Sequence, residues 1–171
     1  MSNATTTKQA DAAERLLKRR SIRRNFAEWC RVCGYEPAKH HLLFIDILEK
    51  AARREVKRVI ICAPRGCAKS TYASDLFPAW FIENNPGACI STSSHNSSLA
   101  EKFAKRARNR VLAHENILSF KLKADSRAVD YWETTNDCQF ACFGIGGSVL
   151  GARSDLCIVE DPYGNIEEAN S

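Results

Sequence analysis

Apolar residues recur at helical spacing in several stretches of the chain, and these stretches predict helices. The predicted helices cover about residues 11–33 (one or two basic helices), 37–54, 69–83 and 99–113. Residues 1–10 are polar and predict a loose tail. Pro78 predicts a kink or break in the third stretch. Ser98 and Glu101 predict a capping box at the start of the last one.

Shorter apolar runs, rich in β-branched residues, lie between the helical stretches and predict strands. The predicted strands cover residues 56–63, 88–93, 131–135, 138–144 and 156–160. An Asn136-Asp137 turn joins two of them into a hairpin. Strands separated by helices favour an α/β fold with a largely parallel sheet, covered by helices, and one antiparallel ribbon. We expect a tail and basic helical arm over residues 1–36 and a domain over residues 37–171.

Composition and charge narrow the class of protein. The 171 residues are 44% hydrophobic and 26% charged, with a formal net charge of +5. No apolar run approaches the roughly 20 residues that span a membrane, and no secretory signal is visible. We therefore expect a cytoplasmic protein. Two predicted helices carry stripes of cations that suit a polyanion or are solvated faces: Lys18, Arg19, Arg20, Arg23 and Arg24, and Lys102, Lys105, Arg106, Arg108 and Arg110.

The chain contains eight cysteines, which is a high count. Cys62, Cys89, Cys142 and Cys157 fall in predicted apolar strands, where they are interpreted as small buried hydrophobes and not as a disulfide framework. Cys30-x-x-Cys33, followed by His40 and His41, allows a zinc site or packed thiols.

The most specific segment runs Val59-Ile60-Ile61-Cys62-Ala63-Pro64-Arg65-Gly66-Cys67-Ala68-Lys69-Ser70-Thr71. An apolar strand, a tight loop and a helix start are typical of phosphate loops, in which Lys69 would reach the β- and γ-phosphates of ATP and Ser70 would ligate Mg²⁺. The pattern G-x-x-x-x-G-K-[ST] is imperfect, because Ala63 and Ala68 replace its glycines and Gly66 is out of register. The alternative is an ordinary strand-turn-helix corner with a solvated lysine.

A second segment, Leu156-Cys157-Ile158-Val159-Glu160-Asp161, is an apolar strand that ends in two carboxylates about 90 residues after the loop. P-loop ATPases use such a pair at the carboxyl edge of a strand, where one carboxylate serves the Mg²⁺ shell and the next orients the attacking water. The usual order has Asp first. Here Glu160 takes the metal position and Asp161 the position next to the water.

Together these segments make the chain similar to the N-terminal ATPase part of phage terminase large subunits, which is a P-loop NTPase of the ASCE type with a three-layer core. The resemblance extends from about Phe26 to Ser171. Its blocks are Lys39-His40-His41, Ala63 to Thr71, Phe77-Pro78-Ala79-Trp80, Leu99-Ala100-Glu101-Lys102-Phe103, Gly146-Gly147-Ser148-Val149-Leu150-Gly151-Ala152-Arg153 and Glu160-Asp161-Pro162. Terminase loops often carry an arginine near the middle and an alanine before the lysine, as Arg65 and Ala68 do here.

The resemblance implies roles for single residues. The loop formed by Pro64, Arg65, Gly66, Cys67 and Ala68, with Lys69, Ser70 and Thr71, would bind ATP and Mg²⁺. Arg65 would approach the γ-phosphate, and His41 would lie on the adenine side or else be a partly buried helix histidine. Arg153 would reach the ATP of a neighbouring subunit as an arginine finger, or else be a surface arginine or a partner for Asp155.

The resemblance also implies partners: double-stranded DNA, a small terminase subunit, a portal protein and further copies of the chain in a ring, all in the host cytoplasm. Terminase large subunits continue with a coupling motif and a nuclease domain, neither of which is in this sequence, so we expect no DNA cleavage by this polypeptide. A fragment, half of a split gene and a prophage remnant are all compatible with the sequence. Two other functions stay open: a different P-loop translocase of the helicase kind, and a remnant that binds nucleotide or DNA without turnover.

Overall fold

The computed structural model describes residues 2–145 and 153–164. Within these residues, five strands form one mixed sheet in the order β2-β3-β4-β1-β5. Their bounds are Cys89–Ser94 (β1), Leu122–Arg127 (β2), Tyr131–Thr134 (β3), Gln139–Gly144 (β4) and Leu156–Glu160 (β5). β1 pairs in parallel with both β4 and β5, whereas β3 is antiparallel to β2 and β4. The expected α/β class is confirmed, with a sheet that is only partly parallel.

In the described ranges, five α-helices and one wider helical segment accompany the sheet. The α-helices are Ser2–Arg24 (α1), Phe26–Val32 (α2), Lys39–Ala52 (α3), Phe77–Asn84 (α4) and Ser97–Ala113 (α5), and the wider segment is Thr71–Leu76. The prediction of a loose tail was wrong, because α1 begins at Ser2. The predicted capping box was also wrong, because Asn96 caps α5 by accepting a hydrogen bond from the backbone N–H of Leu99.

The N-terminal helices share one hydrophobic core with the helix that follows the loop. Phe26 contacts the rings of Phe77 and Trp80, with centroids 5.5 and 5.2 Å away. The indole N–H of Trp29 donates to the Leu76 carbonyl at 2.9 Å, and that of Trp80 donates to the Ile22 carbonyl at 2.6 Å. Buried indoles need such partners. These contacts hold the helix behind the loop in a fixed position.

The predicted helical stretch at residues 69–83 matches residues 69–84 of the structure, and the kink or break expected at Pro78 is instead a change of helix type between Leu76 and Phe77. Thr71–Leu76 forms a π-helical segment, in which the N–H of Phe77 donates to the carbonyl of Tyr72, five residues earlier. Pro78 has no N–H and its ring displaces the preceding turn, which accounts for a change of helical pitch at this point. The widened turn is followed directly by α4.

The predicted strand at residues 56–63 is absent: this stretch has no regular secondary structure and no partner in the described part of the sheet. A groove of about 760 Å³ lies between residues 56–61 and β5. Ile60 is 90% exposed. β-branched residues favour a strand only when a neighbouring strand is within hydrogen-bonding reach, and here the groove separates the stretch from β5. Conversely, β2 was missed because its sequence, Leu122–Arg127, is polar.

The cysteines differ from the prediction in part. Cys62 and Cys157 are exposed and Cys89 and Cys142 are half-buried, so these four are not the buried hydrophobes that the pattern predicted. Cys30 is buried, and burial raises the pKa of its thiol. Among the described residues no group of three His, Cys, Asp or Glu side chains could hold a metal ion, and Cys30 and Cys33, with His40 and His41, are all described. The arrangement favours packed thiols over the zinc site.

Candidate functional site

A cleft of about 780 Å³ opens at the carboxyl ends of β1 and β5. Residues 63–71 line one side, and His95 with residues 161–164 line the other. The parallel register places Ser94 beside Glu160, so the residues that follow both strands meet at this edge. Clefts at this edge of parallel strands are the usual ligand sites of α/β sheets. The structure therefore brings the two predicted segments together.

Two residues of the loop that precedes the helix have a positive φ. Gly66 has φ +86° and Ala68 has φ +53°. Ala68 occupies the position at which the phosphate-loop pattern has its second glycine, and it adopts the left-handed conformation that favours glycine. For a residue with a side chain this conformation costs about 1 kcal/mol. Lys69 and Ser70 follow in helical conformation, and the N–H of Tyr72 donates to the Ala68 carbonyl at 3.1 Å.

Glu160 is buried, with 3% of its surface exposed, and two serine hydroxyls bind its carboxylate. Ser70 Oγ donates to Glu160 Oε2 at 2.8 Å, and Ser74 donates to the other oxygen, Oε1. The two predicted metal ligands, Ser70 and Glu160, are thus in direct contact. Mg²⁺ in nucleotide sites usually takes one or two protein oxygens and completes its shell with phosphates and water. A hydroxyl and a carboxylate oxygen 2.8 Å apart fit that requirement.

Asp161 follows Glu160 but has a different environment. Its side chain is 61% exposed, and its Oδ1 lies 3.7 Å from Lys69 Nζ. Its φ is +40°, an uncommon value for a residue with a side chain. The pair is partly solvated and therefore contributes little to stability. It does place the lysine of the loop and the second carboxylate on opposite sides of one opening.

The two predicted arginines, Arg65 and Arg153, lie in different places. Arg65 lines the cleft and is exposed. Arg153 is exposed, precedes β5 at the end opposite to Glu160, and is not among the described cleft residues. Asp155 is bound by Arg54, at 3.1 Å, and not by Arg153. The block at residues 146–152 lies outside the described residues.

His41 lies behind the loop and does not line the cleft. Its Nδ1 accepts a hydrogen bond from the backbone N–H of Ala38 at 3.0 Å, and its ring stacks on Tyr72 with centroids 4.3 Å apart. Burial, followed by the charge of His40, lowers the pKa of His41, while a hydrogen bond with the backbone of Cys67 opposes this shift. These contacts match the partly buried helix histidine of the two interpretations. They also connect α3 to the loop.

His95 was missed by the sequence reasoning. It follows β1, lines the cleft, and contacts the backbone of Asp161 through both its N–H and its ring. The only signal in the sequence was its place after a predicted strand that ends at the same sheet edge as Glu160. This signal can be used only if the strand order is known, and the strand order could not be predicted from the sequence.

The two stripes of cations are divided between internal and exposed roles. Arg19 donates to the carbonyls of Ile117 and Leu118 at 2.7 and 2.9 Å. Arg110 makes two hydrogen bonds to the buried Asp75, at 2.8 and 2.9 Å, and these bonds raise its pKa. The members of the two stripes that are exposed are Lys18, Arg20, Arg23, Arg24, Lys102, Lys105 and Arg106.

No protein-family model matches this chain, and no curated protein matches it. In the described part of the chain, no helix has the length and apolar character needed to cross a membrane.

Proposed function

We propose that the protein binds ATP with Mg²⁺ in the cleft between residues 63–71 and the end of β5, and that it hydrolyses this ATP. One observation carries the proposal: Lys69 and Ser70 begin a helix directly opposite Glu160 and Asp161, with Ser70 bonded to Glu160 and Lys69 near Asp161. A cation, a hydroxyl and two carboxylates are the side chains that a phosphoryl-transfer site uses.

The loop and helix start would hold the phosphates. The backbone N–H groups at a helix N-terminus carry a partial positive charge and lack intrahelical partners, so they bind anions. Lys69 would add a full positive charge at the β- and γ-phosphates. Its contact with Asp161 is weak, because both side chains are partly solvated, so phosphate oxygens can replace it at low cost.

Ser70 and Glu160 would hold Mg²⁺ through their oxygens, and the ion would supply neutralisation of the phosphate charge. Glu160 is preset for this role, because its carboxylate is buried and Ser74 fixes its second oxygen. A carboxylate that already has a fixed orientation loses little freedom when it takes part in a ligand shell.

Asp161 would orient a water molecule and accept its proton as the water oxygen bonds to the γ-phosphorus. The bond between that phosphorus and the bridging oxygen would break, which yields ADP and inorganic phosphate. A general base must lie within hydrogen-bond reach of the water. The exposed carboxylate of Asp161 faces the opening of the cleft from the side opposite to Lys69, and this position supports the role.

The proposal for the kind of ATPase rests on the resemblance to phage terminase large subunits. On this proposal the chain is the ATPase part of a motor with the three-layer ASCE core that packages double-stranded viral DNA, acting in a ring with a portal protein and a small subunit. The exposed cations of α1 and α5 support contact with DNA. DNA binding should then weaken steeply as salt rises, because bound cations are released from the backbone. If the affinity for DNA does not change with salt concentration, the proposed contact with DNA is contradicted.

Equilibrium binding of ATP tests the proposed function. The Lys69→Ala variant should lose about 100-fold or more in affinity, since it removes the charge at the phosphates, which corresponds to about 2.7 kcal/mol. The matched control is Lys121→Ala, whose side chain is exposed and is not among the described cleft residues. It should bind ATP as the wild type does. Equal affinity in the two variants would contradict the proposal.

A further inference from the structure

The backbone of Asp161 is held by residues at the end of the neighbouring strand. Asp161 has φ +40°, a conformation that is uncommon for residues with a side chain, although aspartate tolerates it better than most. Its carbonyl oxygen accepts a hydrogen bond from the backbone N–H of His95 at 3.3 Å and lies 3.1 Å from His95 Nδ1. Ser94 Oγ approaches the same oxygen at 3.5 Å. Two of the three groups that contact the Asp161 carbonyl oxygen, the backbone N–H and the ring nitrogen Nδ1, therefore belong to His95.

The neighbouring Asn96 determines which nitrogen of His95 carries the proton. Asn96 caps α5, and its Oδ1 accepts from the N–H of Leu99 at 2.8 Å. The cap fixes the orientation of the amide, so that its Nδ2 lies 2.7 Å from His95 Nε2. An amide nitrogen only donates, and Nε2 must therefore accept. In the neutral ring the proton is then on Nδ1, which donates to the Asp161 carbonyl.

From this chain of contacts we infer that His95 is a positioning residue for Asp161. The cap of α5 selects the tautomer of His95, and that tautomer holds Asp161 in its unusual conformation with the carboxylate toward Lys69. This inference rests on the proposed function for its kinetic consequence, because Asp161 is the group proposed to orient the water. The ring of His95 acts on the backbone of Asp161 and not on the reacting atoms.

Loss of the ring should let Asp161 relax to an ordinary conformation and move its carboxylate. Displacement of a reacting group by about 1 Å can reduce a rate about 100-fold. The binding of ATP depends on Lys69 and the loop; His95 lines the same cleft, but its described hydrogen bonds go to Ser94, Asn96 and Asp161 and not to the loop. A defect in positioning should therefore lower kcat and leave the affinity for ATP unchanged. A general loss of structure would lower both.

Two substitutions at position 95 separate these outcomes. His95→Ala removes the ring donor and keeps the backbone N–H, and we expect kcat to fall about 10- to 100-fold with ATP affinity within about twofold of the wild type. His95→Asn keeps an N–H donor close to the position of Nδ1, and we expect it to restore most of kcat. Equal losses in both variants, an unchanged kcat in His95→Ala, or a parallel loss of affinity would overturn the inference.

The tautomer can be measured without any activity. In ¹⁵N-labelled protein the ring nitrogens of the neutral His95 should show the Nδ1–H form. Asn96→Ser keeps a capping hydroxyl but removes the amide donor, and the preference for that form should weaken. An Nε2–H form in the wild type would overturn the inference. If the wild type shows no turnover but has the Nδ1–H form, the hydrolysis part of the proposed function fails and the contact between His95 and Asp161 stands.

Discussion

The two sides of the cleft are built in different ways. β5 is paired along its length with β1, and its last residue, Glu160, is 3% exposed and bonded to two serines. The opposite side, residues 56–68, has no strand partner in the described sheet, and Arg65 and Gly66 at the tip of the loop are exposed. Glu160 is therefore fixed by the sheet and by the two serines, whereas the loop is fixed at its helical end.

This difference assigns different tasks to the two sides. The side that β5 carries can hold the groups whose position determines the chemistry, because a paired strand resists displacement. The loop side can change shape around a ligand, since few contacts would be lost. Substitutions near β5 should affect stability, turnover or the part of ATP binding that depends on Mg²⁺, and substitutions in the loop should affect the binding of the phosphates themselves. The predictions below test that division, beginning with the largest expected effect.

Asp161→Asn should abolish most of the turnover and retain ATP binding. The amide keeps the size of the side chain but cannot accept the proton of the water, and the loss of such a base costs about 100- to 1,000-fold in kcat. Phosphate release in a single turnover measures the effect. Asp125→Asn, an exposed change on β2, is the control. Equal turnover in Asp161→Asn and the wild type would remove Asp161 from the chemistry, and absence of turnover in the wild type would favour a remnant that only binds nucleotide.

Ser74→Ala should reduce the free energy of unfolding by about 1–3 kcal/mol, because it removes a buried donor from a buried carboxylate oxygen. Arg65→Gln is the matched change on the loop side, where the side chain is exposed, and it should stay within about 0.5 kcal/mol of the wild type. Urea unfolding of the three proteins gives both values. If Arg65→Gln lowered the free energy of unfolding more than Ser74→Ala does, the proposed difference between the two sides of the cleft would be contradicted.

Much of the fold could be predicted from spacing alone. α3, β1, β5 and the hairpin of β3 and β4 have strong local patterns, and the structure places them close to the predicted bounds. The strand at residues 56–63 was predicted from composition and failed, because strand formation depends on a partner that the described sheet does not offer. β2 was missed for the opposite reason: its polar sequence does not predict a strand, but a partner, β3, is within hydrogen-bonding reach.

The candidate site shows the same limit. Lys69, Ser70, Glu160 and Asp161 could be predicted because their signals are local: a loop with a helix start, and an apolar run with acidic residues at its end. His95 could not, because its role depends on the register that aligns β1 with β5. The glycine-like conformation of Ala68 was equally hidden, since alanine gives no sign of a positive φ.

The smallest expected effect is on the pH dependence of stability when His41, which connects α3 to the loop, is replaced. Burial lowers its pKa in the folded protein, so folding favours the neutral ring. The stability that it contributes should be present above its unfolded pKa of about 6.5 and should fall as the pH drops below that value, through the lower folded pKa. Melting temperatures at pH 7.5 and 5.5 should therefore differ more in the wild type than in His41→Gln. A His40→Gln control should keep most of the difference, and an equal pH response in all three would contradict the role of His41.

The most direct test of the central claim is a double-mutant cycle on ATP affinity with Ser70→Ala and Glu160→Gln, measured by calorimetry with Mg²⁺ and again with a chelator. If the helix start and the end of β5 hold one Mg²⁺, each change should weaken binding by about 1–2 kcal/mol in Mg²⁺, and the double variant should lose little more than either single variant. Without Mg²⁺ all four proteins should bind alike. Additive losses, or losses that persist without Mg²⁺, would contradict a single site built from the two sides of the cleft.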